Sequence, residues 1–110
     1  KFLADKGIRL SEVRIIPDDT PTIISVLNHL RVTYTYVITS GGIGPTHDDL
    51  TTAAIAQAFG VGLERQPEIE AKFWAKHGPS MKPEVLKMAD YPAGAVLFPN
   101  LVSTAPGYQL

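Results

Sequence analysis

No cysteine occurs among the 110 residues, which excludes a disulfide scaffold and any zinc site built on thiolates. Neither sign of charge is in excess: ten Lys and Arg stand against eleven Asp and Glu, a net charge of -1. The broad basic footprint of a general nucleic-acid binder is therefore missing, and no nucleic-acid partner is expected. Long apolar runs are missing as well. Stretches such as Ala95-Val96-Leu97-Phe98 are far too short to cross a bilayer, so no membrane partner is expected. With no secretory leader visible, the expected location is the cytoplasm. What remains is a chain that is 45% hydrophobic and 19% charged, the balance of an ordinary globular protein. Residues 1–110 are read as one domain.

Along the chain, elements alternate in kind. Lys1 to Lys6 reads as the end of a helix stopped by Gly7, and Ile8 to Ile16 as a strand closed by Pro17. Asp18-Asp19-Thr20-Pro21 opens a helix: Asp19 or Thr20 can cap it, and Pro21 suits its first turn. Ile23, Val26, Leu27 and Leu30 then share one face at the helical period. Tyr34 to Ile38 is aromatic and β-branched, a second strand. After the run 41–49, Leu50 to Phe59 resumes a helix that Gly60 ends. Pro67 opens another, with Glu68 and Glu70 early and Lys76 and His77 late, the order that suits the helix dipole. Gly78-Pro79 stops it, and a short helix runs from Pro83 to Ala89. Pro92 to Gly94 is a turn, Ala95 to Phe98 a strand, and Tyr108 to Leu110 the start of another. Strands alternating with helices predict a three-layer α/β/α fold with a mainly parallel sheet.

Ligands of open α/β sheets bind beyond the carboxyl ends of strands, in the loops that lead into helices. Two such loops are predicted, Pro17 to Thr20 and Thr39 to Asp49. The second places Gly41, Gly42 and Gly44 directly after a strand, where the backbone can take positive φ and approach a ligand closely. Successive amides in such a bend form a concavity for an anion. The hydroxyls of Thr39, Ser40 and Thr46 add donors, and the next helix adds about half a positive charge at its N-terminus. Phosphate is the natural guest. A Walker A loop is excluded, because no lysine occurs between Arg31 and Lys72, and the glycine spacing is not that of a Rossmann fingerprint. The acidic pair Asp48-Asp49 would repel a phosphate unless a cation sits between them, and a magnesium-type divalent ion would resolve the conflict.

Thr39 to Thr51 resembles the TTGGxGPTxDDxT stretch of the molybdopterin-binding-like domain family. The proline after the last glycine and the paired aspartates are most similar to the competence/damage-inducible CinA subgroup and to the amino-terminal domain of FAD synthases. Downstream, Met88-Ala89, Pro92, Gly94-Ala95 and Asn100 to Tyr108 resemble the subgroup's turn and its "PN…GTAPGF" element. Ser103 stands where that element usually has glycine. The resemblance places the family's first strand before Lys1 and a later glycine-proline loop after Leu110; both border the pocket in relatives.

The resemblance further implies roles. Gly41, Gly42 and Gly44 would cradle the terminal phosphate of molybdopterin or of an adenine nucleotide, with Ser40, Thr46 and Thr104 as polar neighbours. Asp49 would serve metal binding and catalysis, joined by the subgroup's additional acid, Asp48. The implied chemistry is metal-dependent cleavage of a nucleotide pyrophosphate of the ADP-ribose or FAD type. Three alternatives stay open: molybdopterin binding without catalysis, adenylyl transfer to molybdopterin, and a regulatory or assembly domain with a vestigial pocket. Relatives imply a homo-oligomer, a dimer or a trimer.

Each of these residues also has a plainer reading. Asp48 or Asp49 could simply cap the helix that begins near Leu50, and the glycines could serve only a tight turn. His47 is a metal ligand or proton carrier in one reading, and an idle loop residue in the other. His29 and His77 read as solvated, Asp18-Asp19 as a helix start, and Phe73 and Trp74 as packing residues.

Overall fold

The computed structural model describes residues 5–7, 9–98 and 107–110. The first helix, α1 (Thr20–Thr33), begins as its sequence dictates. Asp19 caps it by accepting from the Thr22 amide at 3.1 Å and from the Thr22 hydroxyl at 2.6 Å. Pro21 in its first turn forfeits only an amide that no helical carbonyl would have reached. Next comes α2 (Thr51–Ala58), which packs against α1; Ile23 and Leu27 of α1 and Ala54, Ile55 and Ala56 of α2 are buried. Arg31 ties the far end of this pair. Its guanidinium donates to the Ala58 carbonyl at 3.1 Å and lies 4.2 Å from the centre of the Phe59 ring. A cation there meets unsatisfied carbonyls at the negative end of α2.

The second half builds on a short antiparallel pair. Strand β1 (Leu63–Arg65) faces β2 (Asp90–Pro92), with Leu63 opposite Pro92 and Arg65 opposite Asp90. The connection between them carries α3 (Pro67–His77), a 3-10 turn (Gly78–Ser80), α4 (Pro83–Leu86) and a second 3-10 turn (Lys87–Ala89). Gly78 stops α3 with φ +53°, as its position after a helix predicts. A second antiparallel pair joins β3 (Val96–Phe98) to β4 (Gly107–Gln109). The core of this half is Ile69 and Phe73 of α3 with Ala89 and Tyr91, and Met81, Val85, Met88, Leu97 and Tyr108 close around it. At its rim Arg65 bonds Asp90 with two nitrogens, at 2.5 and 3.3 Å, and Glu70 with a third at 3.2 Å.

The fold is mixed α/β, but the parallel sheet of a three-layer arrangement does not form among the described residues; both sheets are two-stranded and antiparallel. The segments read as strands, Ile8 to Ile16 and Tyr34 to Ile38, carry no strand assignment where they are described. Ile15 is 96% exposed and Ile38 73%. Their β-branched character fits a pleated, half-buried surface, and that preference is realised only against a neighbouring strand. β1 and β2 went unpredicted because three residues are too few to show a two-residue period. The helix ending at Gly7 is described only from Asp5, and Gly7 closes it at φ +75°; residues 1–4 lie outside the described residues.

Phe73 and Trp74 are neighbours with opposite placement: Phe73 is 2% exposed and Trp74 45%. The Trp74 indole donates to Glu70 at 3.1 Å on the surface of α3. Phe73→Ala is therefore expected to cost about 3–5 kcal/mol in urea denaturation, the scale of an emptied aromatic core site. Trp74→Ala is expected to cost less than about 1 kcal/mol.

Candidate functional site

The loop between residues 39 and 50 is shaped by two devices. Gly41 and Gly42 take φ +85° and +68°, a left-handed conformation open mainly to glycine. This turns the Gly42 carbonyl toward α2, where it accepts from the Thr51 amide at 3.0 Å. Space is as important as φ at Gly42: a Cβ there would sit 2.1 Å from the Thr51 hydroxyl and 3.2 Å from an Asp18 carboxylate oxygen. Gly44 is small for a different reason, since a Cβ would come within 2.9 Å of the Asp49 carboxylate.

The second device is a turn closed by Asp49. Its Oδ2 accepts from the Thr46 amide at 2.9 Å and from the Thr46 hydroxyl at 2.7 Å, and the Asp49 amide returns a bond to the Thr46 carbonyl at 3.2 Å. These bonds hold the carboxyl below its usual 3.8, the Thr46 hydroxyl first, then the Thr46 amide, with lesser help from the Gly44 amide and the Lys87 charge; burial opposes them. The helix-cap reading of the acidic pair fails, because Leu50 occupies that position and makes no side-chain capping bond. Asp49 caps the loop's own turn instead.

Beside the loop lies a hollow of about 90 Å³. Gly42, Gly44 and Asp49 line it on the loop side, and Thr52 and Ala53 from the first turn of α2. At that position a helix has amides with no intrahelical acceptor. Lys87, Met88 and Tyr91 close it from the second half of the chain. Tyr91 and Tyr108 meet edge to face, with centroids 5.5 Å apart and planes at 81°, and the Tyr108 hydroxyl donates to Thr52 at 3.3 Å. Burial, with a smaller push from Tyr108, raises the Tyr91 phenol to about 12, so this wall stays neutral at any working pH.

The structure thus brings Gly42, Gly44 and Asp49 together at the hollow. Gly41 shapes the bend without lining it, Ser40 is exposed, and Thr46 commits its hydroxyl to Asp49. Asp48 turns outward and pairs with the exposed His47 at 3.3 Å, so the two aspartates diverge. Thr104, with the rest of 99–106, lies outside the described residues. Among the described residues no three His, Cys, Asp or Glu side chains cluster closely enough to hold an ion by themselves. Asp49 alone faces the hollow from the acidic pair, which fits an ion held by one carboxylate plus ligand oxygens.

Two residues were missed by sequence reasoning. Asp18 lies in the first of the two predicted loops and was assigned only a helix start there, yet its carboxylate reaches the Gly42 loop. Lys87 sits 41 positions from Thr46 in sequence, yet its ammonium donates to the Thr46 carbonyl and, at 3.3 Å, to the Asp49 carbonyl. No local motif marks such a lysine, because the fold alone carries it to the loop.

Two outcomes test this geometry. Gly42 and Gly60 share nearly the same φ, +68° and +69°, but a Cβ on Gly60 meets open space. Gly60→Ala should lose about 1–2 kcal/mol from the backbone alone, and Gly42→Ala clearly more, in urea denaturation. In a carboxyl NMR titration Asp49 should titrate with a midpoint below 3.8. Because its folded pKa is depressed, its stabilising contribution is present above the ordinary carboxylate range and lost as pH falls through that lower midpoint.

Comparison with known proteins places this geometry. The family described as "Probable molybdopterin binding domain" matches residues 1–108. A CinA-like protein of Syntrophus aciditrophicus is 37% identical over 108 residues, covering 96% of this chain and 26% of its own length. A second, from Syntrophotalea carbinolica, is 36% identical over 113 residues, covering 100% of this chain and 27% of its own. The chain thus spans about a quarter of the length of these relatives. The crystal structure of CinA from Thermoplasma acidophilum, a protein described there as of unknown function, superimposes with a TM-score of 0.88 at 31% identity. It covers 97% of this chain and 64% of that one. The chain belongs to the molybdopterin-binding domain family, among its CinA-like members.

Proposed function

We propose that this CinA-like domain binds a phosphorylated adenine nucleotide or pterin at the hollow beside the glycine loop. On this reading it hydrolyses a nucleotide pyrophosphate of the ADP-ribose or FAD type with the help of a divalent metal. The observation that carries the reading is the convergence of three features on one small space. These are the glycine bend, the first turn of α2, and a carboxylate whose pKa the Thr46 hydrogen bonds lower. A hollow of about 90 Å³ is well below the roughly 300–1,000 Å³ of a pocket enclosing a drug-sized ligand. It suits the phosphate end of a ligand rather than the whole.

In this account the amides at the N-terminus of α2 bind phosphoryl oxygens and meet the charge that grows as phosphorus is attacked. Thr46 holds the Asp49 carboxylate in place with two hydrogen bonds, so no reorganisation is needed when the ligand arrives. Gly44 keeps the approach to that carboxylate free of a side chain. Asp49 would help to hold a divalent ion, which would neutralise phosphate charge and polarise the phosphoryl group. Water oxygen bonds to one phosphorus as the bridging P–O bond breaks; the departing phosphate keeps that bond's electron pair, the protons of the water pass to solvent, and ADP-ribose yields AMP and ribose 5-phosphate. The neutral Tyr91–Tyr108 wall lies where an apolar part of the ligand would emerge.

The test is release of AMP from ADP-ribose or FAD by the purified protein with magnesium or manganese. Asp49→Asn keeps the side-chain shape and should lower turnover by about a hundredfold or more, the scale on which charge-stabilising groups act. Its melting temperature should stay within a few degrees of the parent. Ligand binding by calorimetry with no AMP released under several divalent metals would replace this reading with non-catalytic molybdopterin or nucleotide binding.

A further inference from the structure

Anion binding beside Asp49 poses a problem of charge, since phosphate and carboxylate repel. An external metal is one solution. The structure contains another cation at the same place. Lys87 enters from the 3-10 turn between α4 and β2, lines the hollow, and places its ammonium on the carbonyls of Thr46 and Asp49. It is half-buried, and its charge lowers the Asp49 pKa from outside the carboxylate's own hydrogen bonds.

Among the described residues this positive charge takes part in no ion pair. Arg65, a second cation in this half of the fold, is spent on Asp90 and Glu70, and Asp90 also lines the hollow. Lys87 is therefore the one basic side chain that lines the hollow with no carboxylate bonded to it among the described residues. A lysine ammonium has three protons and no acceptor capacity. The carbonyl bonds orient it without cancelling its charge. A partly desolvated cation within a small hollow attracts an anion more strongly than the same cation in open water.

We propose that Lys87 is the resident counter-cation of the site. It bonds the phosphate of the ligand directly, so capture of a pyrophosphate needs no metal, and any metal serves only the later bond cleavage. The proposal rests on the reading that this hollow receives a phosphorylated ligand. It differs from a purely structural role for Lys87, in which the ammonium would only fasten the loop to the second half of the chain.

Calorimetry separates the two. Inorganic pyrophosphate and ADP-ribose are titrated into the protein with EDTA present, then with magnesium. Three forms are compared: the parent, Lys87→Arg and Lys87→Gln. Glutamine can still donate to a loop carbonyl but carries no charge. Expected is metal-free binding by the parent, a Kd within about threefold for Lys87→Arg, and a Kd raised about tenfold to a hundredfold for Lys87→Gln, as for loss of a charge-assisted bond. Added sodium chloride should weaken the parent more than Lys87→Gln. Equal affinity of the parent and Lys87→Gln would overturn the proposal, as would binding by the parent only when metal is added. Absence of binding with and without metal would instead sink the reading of the hollow itself, and the proposal with it. A measurement on the unaltered protein guards against a variant that fails to fold. Amine acetylation read by mass spectrometry should fall at Lys87 when pyrophosphate is added in EDTA, while Lys72 and Lys76 stay unchanged. Undiminished labelling at Lys87 would count against it.

Discussion

The pair of hydrogen bonds from Thr46 to Asp49 is the constraint on which the candidate site depends. At 2.7 and 2.9 Å they fasten one carboxylate oxygen to the loop's own backbone and hydroxyl. An ionised acceptor makes such bonds shorter and stronger than neutral ones. With that turn closed, Gly44 is held against the carboxylate and Gly42 against Thr51, which fixes the loop relative to α2. Without it the glycines would have many conformations to choose from, since glycine loses more freedom on ordering than any other residue. The loop's glycines and its aspartate are thus one device: the first permit the bend and the second selects it.

That device needs a platform, and the two halves of the chain supply it differently. From the first half, α2 packs against α1, with Ile23 and Leu27 of α1 and Ala54, Ile55 and Ala56 of α2 buried. Arg31 fastens the far end. From the second half, the Phe73 core supports Ala89 and Tyr91, and so sets the 3-10 turn that carries Lys87. The Tyr108 hydroxyl on Thr52 and the Lys87 ammonium on the loop carbonyls then join the halves across the hollow. The site lies at a junction, which is where ligand sites commonly form.

How much of this was legible in the sequence depended on whether the deciding contact was local. The start of α1 was readable, because Asp19 and Thr22 are three residues apart and a cap is a local bond. So was the span of α3, with its proline, its acidic first turn and its glycine stop. The glycine loop stood out by composition, and its family resemblance matches the comparisons. Contacts between distant residues were not readable. Ile15 and Tyr36 have the character of strand residues but no partner strand among the described residues. The Leu63–Arg65 and Asp90–Pro92 pair is set by ladder bonds across 25 or more positions. Within the site, the glycines were recognised but the job of Asp49 was half seen. It lines the hollow and its main bonds go to Thr46, while Asp48, read as its helper, turns to His47.

The central claim is that the bend at Gly42 and Gly44, with the first turn of α2, receives an anion. The most direct measurement is a two-dimensional amide NMR titration with inorganic pyrophosphate. The account predicts saturable shifts concentrated at Gly42, Gly44, Thr52 and Ala53, with little change at Lys76 or His77, which end α3 and do not line the hollow. Shifts spread evenly over exposed lysines, or none at these four amides at millimolar pyrophosphate, would contradict it.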